Sequence, residues 1–106
     1  MINVFLDDTR VCPNNFTLVK SVKKCIRMLE TEEINVLSLD HDLGHNVPTG
    51  YDLCKWIVEH NIYPKIIYIH SSNPVGVNNM IQLLTRYAPK DITIKKVFYE
   101  NFKLYC

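Results

Sequence analysis

Four carboxylates, an arginine and several imidazole and hydroxyl groups stand directly behind three apolar runs of the chain. Val4-Phe5-Leu6 leads into Asp7, Asp8 and Arg10; Val36-Leu37-Ser38-Leu39 leads into Asp40, His41 and Asp42; Ile66-Ile67-Tyr68-Ile69 leads into His70, Ser71, Ser72 and Asn73. Clustered carboxylates repel one another when ionised, and a hard divalent ion bound through oxygen relieves that repulsion. Asp7, Asp8 and Asp40 are therefore candidate ligands for Mg2+ or Mn2+. Arg10 can grip phosphate oxygens bidentately, or pair with Asp7 or Asp8; the two roles are compatible. Imidazoles titrate near neutral pH, which makes His41 and His70 candidate proton carriers. His70 is the stronger of the two, because Ser71, Ser72 and Asn73 behind it open a helix whose first N–H groups form an anion site. His41 can instead orient an aspartate, and Asn73 can serve as a helix cap. A phosphodiester needs its charge neutralised, a water aimed at phosphorus and a proton delivered to the leaving oxygen, and this set contains a group for each task.

These residues share a site only if the apolar runs are neighbouring parallel strands, whose carboxyl ends then lie along one sheet edge. The pattern supports strands at Ile2 to Leu6, Asn35 to Asp40, Lys65 to Ile69 and Ile92 to Phe98; Ile2 to Leu6, broken only by Asn3, is nearly continuous in apolar residues, as a strand covered on both faces is. A short strand at Phe16 to Lys20 follows a loop around Pro13; the connection is brief for a parallel crossover, so it is expected either to pair antiparallel or to form an irregular edge. Ser21 caps a helix carrying Val22, Cys25, Ile26 and Leu29 on one face. Thr49 and Asp52 form a capping box for a helix reaching about His60, and Asn73-Pro74 opens a helix to about Tyr87. Strands alternating with helices give an α/β fold.

At 106 residues, 47% hydrophobic and 22% charged, the sequence describes one globular domain, residues 1–106, and no disordered chain. A net charge of +1 supplies no global field to attract nucleic acid or an anionic membrane, so an anionic ligand must be captured locally. Cys12, Cys25, Cys54 and Cys106 are scattered without metal-binding spacing, and free thiols in a reducing cytoplasm are expected. No basic stretch followed by a long apolar segment opens the chain, so neither a signal peptide nor a membrane span is expected. Trp56 falls at helical spacing and is expected to pack in the core. The tail Phe98 to Tyr105 mixes aromatics with Lys103 and is expected to cover the sheet edge. Nucleotide P-loop, dinucleotide and hydrolase-elbow motifs do not occur.

Leu6-Asp7-Asp8-Thr9-Arg10, Ser38-Leu39-Asp40-His41-Asp42-Leu43-Gly44, Thr49-Gly50-Tyr51-Asp52 and His70-Ser71-Ser72-Asn73-Pro74 together resemble the cyclic-phosphate-processing receiver-like family, a divergent relative of two-component receiver domains. The resemblance implies a receiver-like, flavodoxin-like three-layer sandwich with a mostly parallel sheet of about five strands. It implies that Asp7, Asp8 and Asp40 hold a divalent cation, with Asp40 at the phosphoacceptor position, and that Ser71 or Ser72 contacts the phosphoryl group. Two departures stand out. No Lys-Pro follows the last expected strand, where Lys95 and Lys96 lie inside the run, and the interval from Asp8 to Asp40 is one helix short. The implied function is a metal-dependent phosphoesterase, a hydrolase that opens a cyclic phosphate: the 2′,3′-cyclic phosphate of an RNA end or a cyclic nucleotide messenger. Asp40, His41, Asp42 and His70 are its expected catalytic residues, and Arg10, Ser71, Ser72 and Asn73 its substrate contacts. Two alternatives are a signalling receiver phosphorylated on Asp40 and a module that sequesters cyclic nucleotides without turnover.

Overall fold

The structure, a computed structural model, describes residues 1–102. Lys103 and Tyr105, part of the tail read above, and Cys106 lie outside the described residues. The strands are β1 (Ile2–Leu6), β2 (Thr17–Val19), β3 (Ile34–Leu39), β4 (Ile66–Ile69) and β5 (Thr93–Lys96); the helices are α1 (Val22–Thr31), α2 (Gly50–His60) and α3 (Pro74–Tyr87). They form one five-stranded sheet in the order β2-β1-β3-β4-β5, and every pairing is parallel. This is the doubly wound, flavodoxin-like order, with its topological switch point between β1 and β3.

The direction of each crossover explains which face it covers. Crossovers β2-α1-β3, β3-α2-β4 and β4-α3-β5 all advance the same way across the sheet, and the right-handed rule puts their helices on a common face. There Val22, Cys25, Leu29, Leu53, Cys54, Ile57, Val77, Met80 and Leu84 meet Val4, Leu6, Leu37, Leu39, Ile67 and Ile69 in one core. The β1-to-β2 connection runs the other way and so crosses the opposite face. It is the loop of residues 7–16, and Cys12 and Phe16 from it pack with Phe5, Tyr68, Val97, Tyr99 and Phe102. β2 pairs parallel with β1, against the antiparallel or irregular edge expected; a connection to the adjacent strand needs no helix when aromatic and apolar side chains cover the strands beneath it. β5 also ends earlier than expected, which leaves Lys96 as its last residue.

The helix starts follow their sequence signals. Ser21 accepts from the Lys24 amide, Thr49 and Asp52 form a reciprocal capping box, and Asn73 accepts from the Gly76 amide with Pro74 behind it. Cys25 and Cys54 are buried free thiols. Trp56 lies partly buried against the core and stacks on His60 at 4.3 Å. No helix among the described residues is long and apolar enough to cross a membrane.

Candidate functional site

Backbone pairing continues one residue past β1, β3 and β4, to Asp7, Asp40 and His70. The Asp7 amide donates to Val19 O at 3.0 Å, the Asp40 amide to Leu6 O at 3.0 Å and the His70 amide to Leu39 O at 3.1 Å. Their positions are thus set by the sheet. Strand alternation then decides their faces: Phe5 and Asp7, Ser38 and Asp40, and Tyr68 and His70 each lie two residues apart, on the side away from the helices.

Beneath the edge, Asp7, His70 and Ser38 form a chain of hydrogen bonds. His70 Nε2 stands 2.8 Å from Asp7 Oδ2 and Nδ1 stands 2.7 Å from Ser38 Oγ. All three residues are buried, and the Phe5 ring stacks on the imidazole at 4.4 Å with the planes 5° apart. Asp7 Oδ1 also accepts from the amides of Thr9 and Arg10, at 2.9 and 3.0 Å. Burial opposes ionisation of this carboxyl, but the hydrogen bonds from His70, the two amides and Arg10 outweigh it and hold Asp7 well below the usual carboxylate range. An ionised Asp7 only accepts, so His70 Nε2 carries a proton. Ser38 was not singled out from the sequence. Its signal was a hydroxyl within an apolar strand, two residues before an aspartate and therefore on the same face.

Above that chain, Arg10 Nη1 bridges Asp7 Oδ2 and Asp40 Oδ2, 3.0 Å from each. The other Asp40 oxygen accepts from the His41 amide at 2.8 Å. Asp8 has no hydrogen-bond or ion-pair partner among the described residues, yet one oxygen each from Asp7, Asp8 and Asp40 lie within 4.8 Å of one another. This set of hard oxygen donors fits Mg2+ or Mn2+. Asp8 is the open member; each Asp40 oxygen accepts one hydrogen bond, whereas each Asp7 oxygen accepts at least two.

His41 and Asp42 form a second pair. His41 Nδ1 lies 2.9 Å from Asp42 Oδ1, and Asn73 Nδ2 donates to Asp42 Oδ2 at 3.2 Å. The contact with His41 lowers the Asp42 pKa against a smaller effect of burial, with Asn73 adding to it. Nδ1–H therefore donates to the carboxylate, and Nε2 has no partner among the described residues. Gly76 makes room for the ring: a Cβ there would lie 2.5 Å from His41 Cγ.

A cavity of about 510 Å³ lined by Asp8, Thr9, Arg10, Asp40, Asp42, Gly44 and Ser72 opens over the carboxylates. The structure thus brings Asp7, Asp8, Arg10, Asp40, Asp42 and Ser72 to one edge, with His41 beside it and His70 beneath it. Ser71 is buried and accepts from the Asn73 amide at 3.1 Å. Asn73 acts both as the α3 cap and as a tether for Asp42.

Among solved structures, the chain is similar to the RcsB response regulator of Salmonella typhimurium, a protein described for its conformational dynamism in DNA interaction. The TM-score is 0.56 at 17% identity over 94% of this chain and 53% of that one. At that identity the likeness is one of fold, and this chain spans about half the length of the regulator. No curated protein is similar enough to this chain to count as a match. The family model of the cyclic-phosphate processing receiver domain matches residues 2–86, which covers all the residues of the edge described above. The chain belongs to the cyclic-phosphate processing receiver domain family.

Proposed function

We propose that this chain is a metal-dependent phosphoesterase that hydrolyses a cyclic phosphate, either the 2′,3′-cyclic phosphate of an RNA end or a cyclic nucleotide. The observation that carries the reading is the pairing of His41 with Asp42 beside carboxylates already bridged by Arg10. A cyclic phosphodiester opens when water attacks phosphorus, the bond from phosphorus to one ring oxygen breaks, and that oxygen takes a proton to leave a phosphomonoester. One water is consumed.

Four carboxylates face one guanidinium at this edge, so the bare pocket repels an anionic phosphate. Asp8 and Asp40 would hold a divalent cation, with Asp7 as third acid where Arg10 gives way. Such an ion supplies charge neutralisation for the phosphate and acidifies a bound water. Arg10 contacts phosphate oxygens from the cavity wall, Ser72 helps seat them, and Ser71 and Asn73 shape the turn beneath. His41, with Nδ1 held by Asp42 and Nε2 open, is the better-placed proton carrier; the buried His70, with both nitrogens engaged, positions Asp7 and through it Arg10.

A signalling receiver is the second reading. Against it stand His41 and His70 at the edge and the lack of a Lys-Pro behind the last strand. A cytoplasmic location fits an enzyme of nucleotides, and belongs to this proposal.

The test is chromatography of 2′,3′-cyclic nucleotides, cyclic dinucleotides and cyclic-phosphate-ended RNA after incubation with the protein, with and without Mg2+ or Mn2+. Ring opening that needs metal and is lost in Asp40→Ala supports the enzyme. Tight binding with no product transfers the reading to sequestration, and acetyl phosphate labelling of Asp40 transfers it to the receiver.

A further inference from the structure

Arg10 and Ser72 line two cavities. The second, of about 300 Å³, lies on the β5 side of the arginine, and its walls include Ser71, Lys96, Phe98 and Glu100. Its charge is opposite to that of the first. Arg10 and Lys96 face the single carboxylate of Glu100, whereas in the first cavity three carboxylates face Arg10 alone. A group bound there meets cations and hydroxyls before it meets the acidic edge.

Its aromatic wall is unusual. Phe98 is 52% exposed, while Phe5 and Phe102 on the same side of the sheet are buried. Exposing half of a phenylalanine forgoes burial that the neighbouring aromatic cluster has available to it. Lys96 Nζ stands over this ring, 5.0 Å from its centroid, and Arg10 stands over Tyr99 at 5.8 Å. A flat apolar face flanked by cations and hydroxyls matches a nucleoside phosphate: the ring offers a stacking surface to any base, and the cations meet the sugar-phosphate.

We propose that this second cavity is the subsite for the nucleoside part of the substrate, with the base against Phe98 and Lys96 and the two serines beside the sugar-phosphate. The assignment rests on the cyclic-phosphate reading and narrows it, because a substrate spanning both cavities must carry a base. The sequence placed Lys96 inside the last strand; its position at the end of β5 is what brings it to this cavity.

The experiment compares adenosine 5′-monophosphate with ribose 5-phosphate by isothermal titration. The nucleotide carries adenine at C1′ where the sugar phosphate carries a hydroxyl, and neither contains a cyclic phosphate to hydrolyse. The wild type is expected to bind the nucleotide on the order of tenfold more tightly, the scale of one base stacked on an aromatic side chain. Phe98→Ala should erase that difference, Phe98→Trp should keep or widen it, and Lys96→Met should weaken both ligands and flatten their salt dependence. Equal affinities in the wild type, or a difference that survives Phe98→Ala, overturn the subsite. An RNA trinucleotide with a 3′-phosphate, bound more tightly than the mononucleotide, identifies an RNA end; equal binding identifies a free nucleotide. Failure of the enzymatic reading is separable: no cyclic phosphate is opened, yet the base-dependent difference remains.

Discussion

Arg10 Nη1 meets Asp40 Oδ2 at 3.0 Å, although the two residues follow different strands and are thirty positions apart. The same nitrogen touches Asp7, so a guanidinium stands between two carboxylates that a divalent cation would otherwise bridge. On the proposed metal site, Arg10 and a cation would therefore compete for one charge environment. Arg10→Met should lower stability by about 1.5–3 kcal/mol, the range for hydrogen bonds to charged groups. Mn2+ should then recover more of the melting temperature in Arg10→Met than it adds to the wild type, and none in Arg10→Met with Asp40→Asn. Melts that ignore Mn2+ in every variant would remove the carboxylates from the metal proposal.

Asp7 and His70 give a pH dependence whose sign is fixed. A carboxyl held below its ordinary value of about 3.9 contributes stability that is complete above that pH and is lost as the pH falls toward the folded-state value. The wild type should lose stability as the pH falls below about 4, and Asp7→Asn should show a shallower loss there. His70→Phe keeps the stack on Phe5 but leaves Asp7 and Ser38 short of a partner, at about 1–3 kcal/mol for each buried group. Urea unfolding at pH 5, 4, 3 and 2 measures both effects. An unchanged acid slope in Asp7→Asn would show that other carboxyls govern it.

Much of this edge was legible because strand ends and helix caps are local events. Thr49 with Asp52, and Asn73 with Pro74, declare their helices within four residues. The apolar runs of β1, β3 and β4 likewise declare the residues that follow them. The partners were less legible, since they depend on which strands adjoin. Ser38 reaches His70, and His70 reaches Asp7, through lateral pairing that no single segment encodes. β2 was ambiguous for a related reason: its parallel pairing relies on Phe16 and Cys12 covering Phe5, a contact made across the sheet. The same limit hides burial: a strand-end position does not tell that the His70 ring points into the core.

On the proposed reaction, His41 and Asp42 would contribute unequally. His41→Ala should reduce ring opening by about 10²–10⁴-fold, the usual contribution of a positioned acid or base. Asp42→Asn removes the carboxylate that fixes the Nδ1 proton and should cost less, because the imidazole remains near the site. Asp42 is exposed, so Asp42→Asn should not move the thermal midpoint far, whereas His41 is largely covered and its truncation must be read beside its melt. Initial rates on the best substrate of the panel, beside thermal melts, make the comparison. Full activity in His41→Ala would pass the proton-transfer role to a carboxylate of the edge.

Gly76 and Gly50 test positioning and folding separately. A Cβ on Gly76 would lie 2.5 Å from His41 Cγ, a side-chain atom able to move. A Cβ on Gly50 would lie 2.1 Å from the Asp40 carbonyl oxygen, which is backbone. Gly50 also donates its amide to His41 O at 2.8 Å, which ties the start of α2 to the loop behind β3. Gly50→Ala should therefore disturb folding itself, whereas Gly76→Ala should fold, displace the His41 ring and lose activity. The double variant Gly76→Ala with His41→Ala decides whether the loss travels through the imidazole. If it does, adding Gly76→Ala to His41→Ala costs nothing more, since interacting positions are not additive. A further drop in the double variant would mean that Gly76→Ala acts on the Asn73 end of α3 and not through His41.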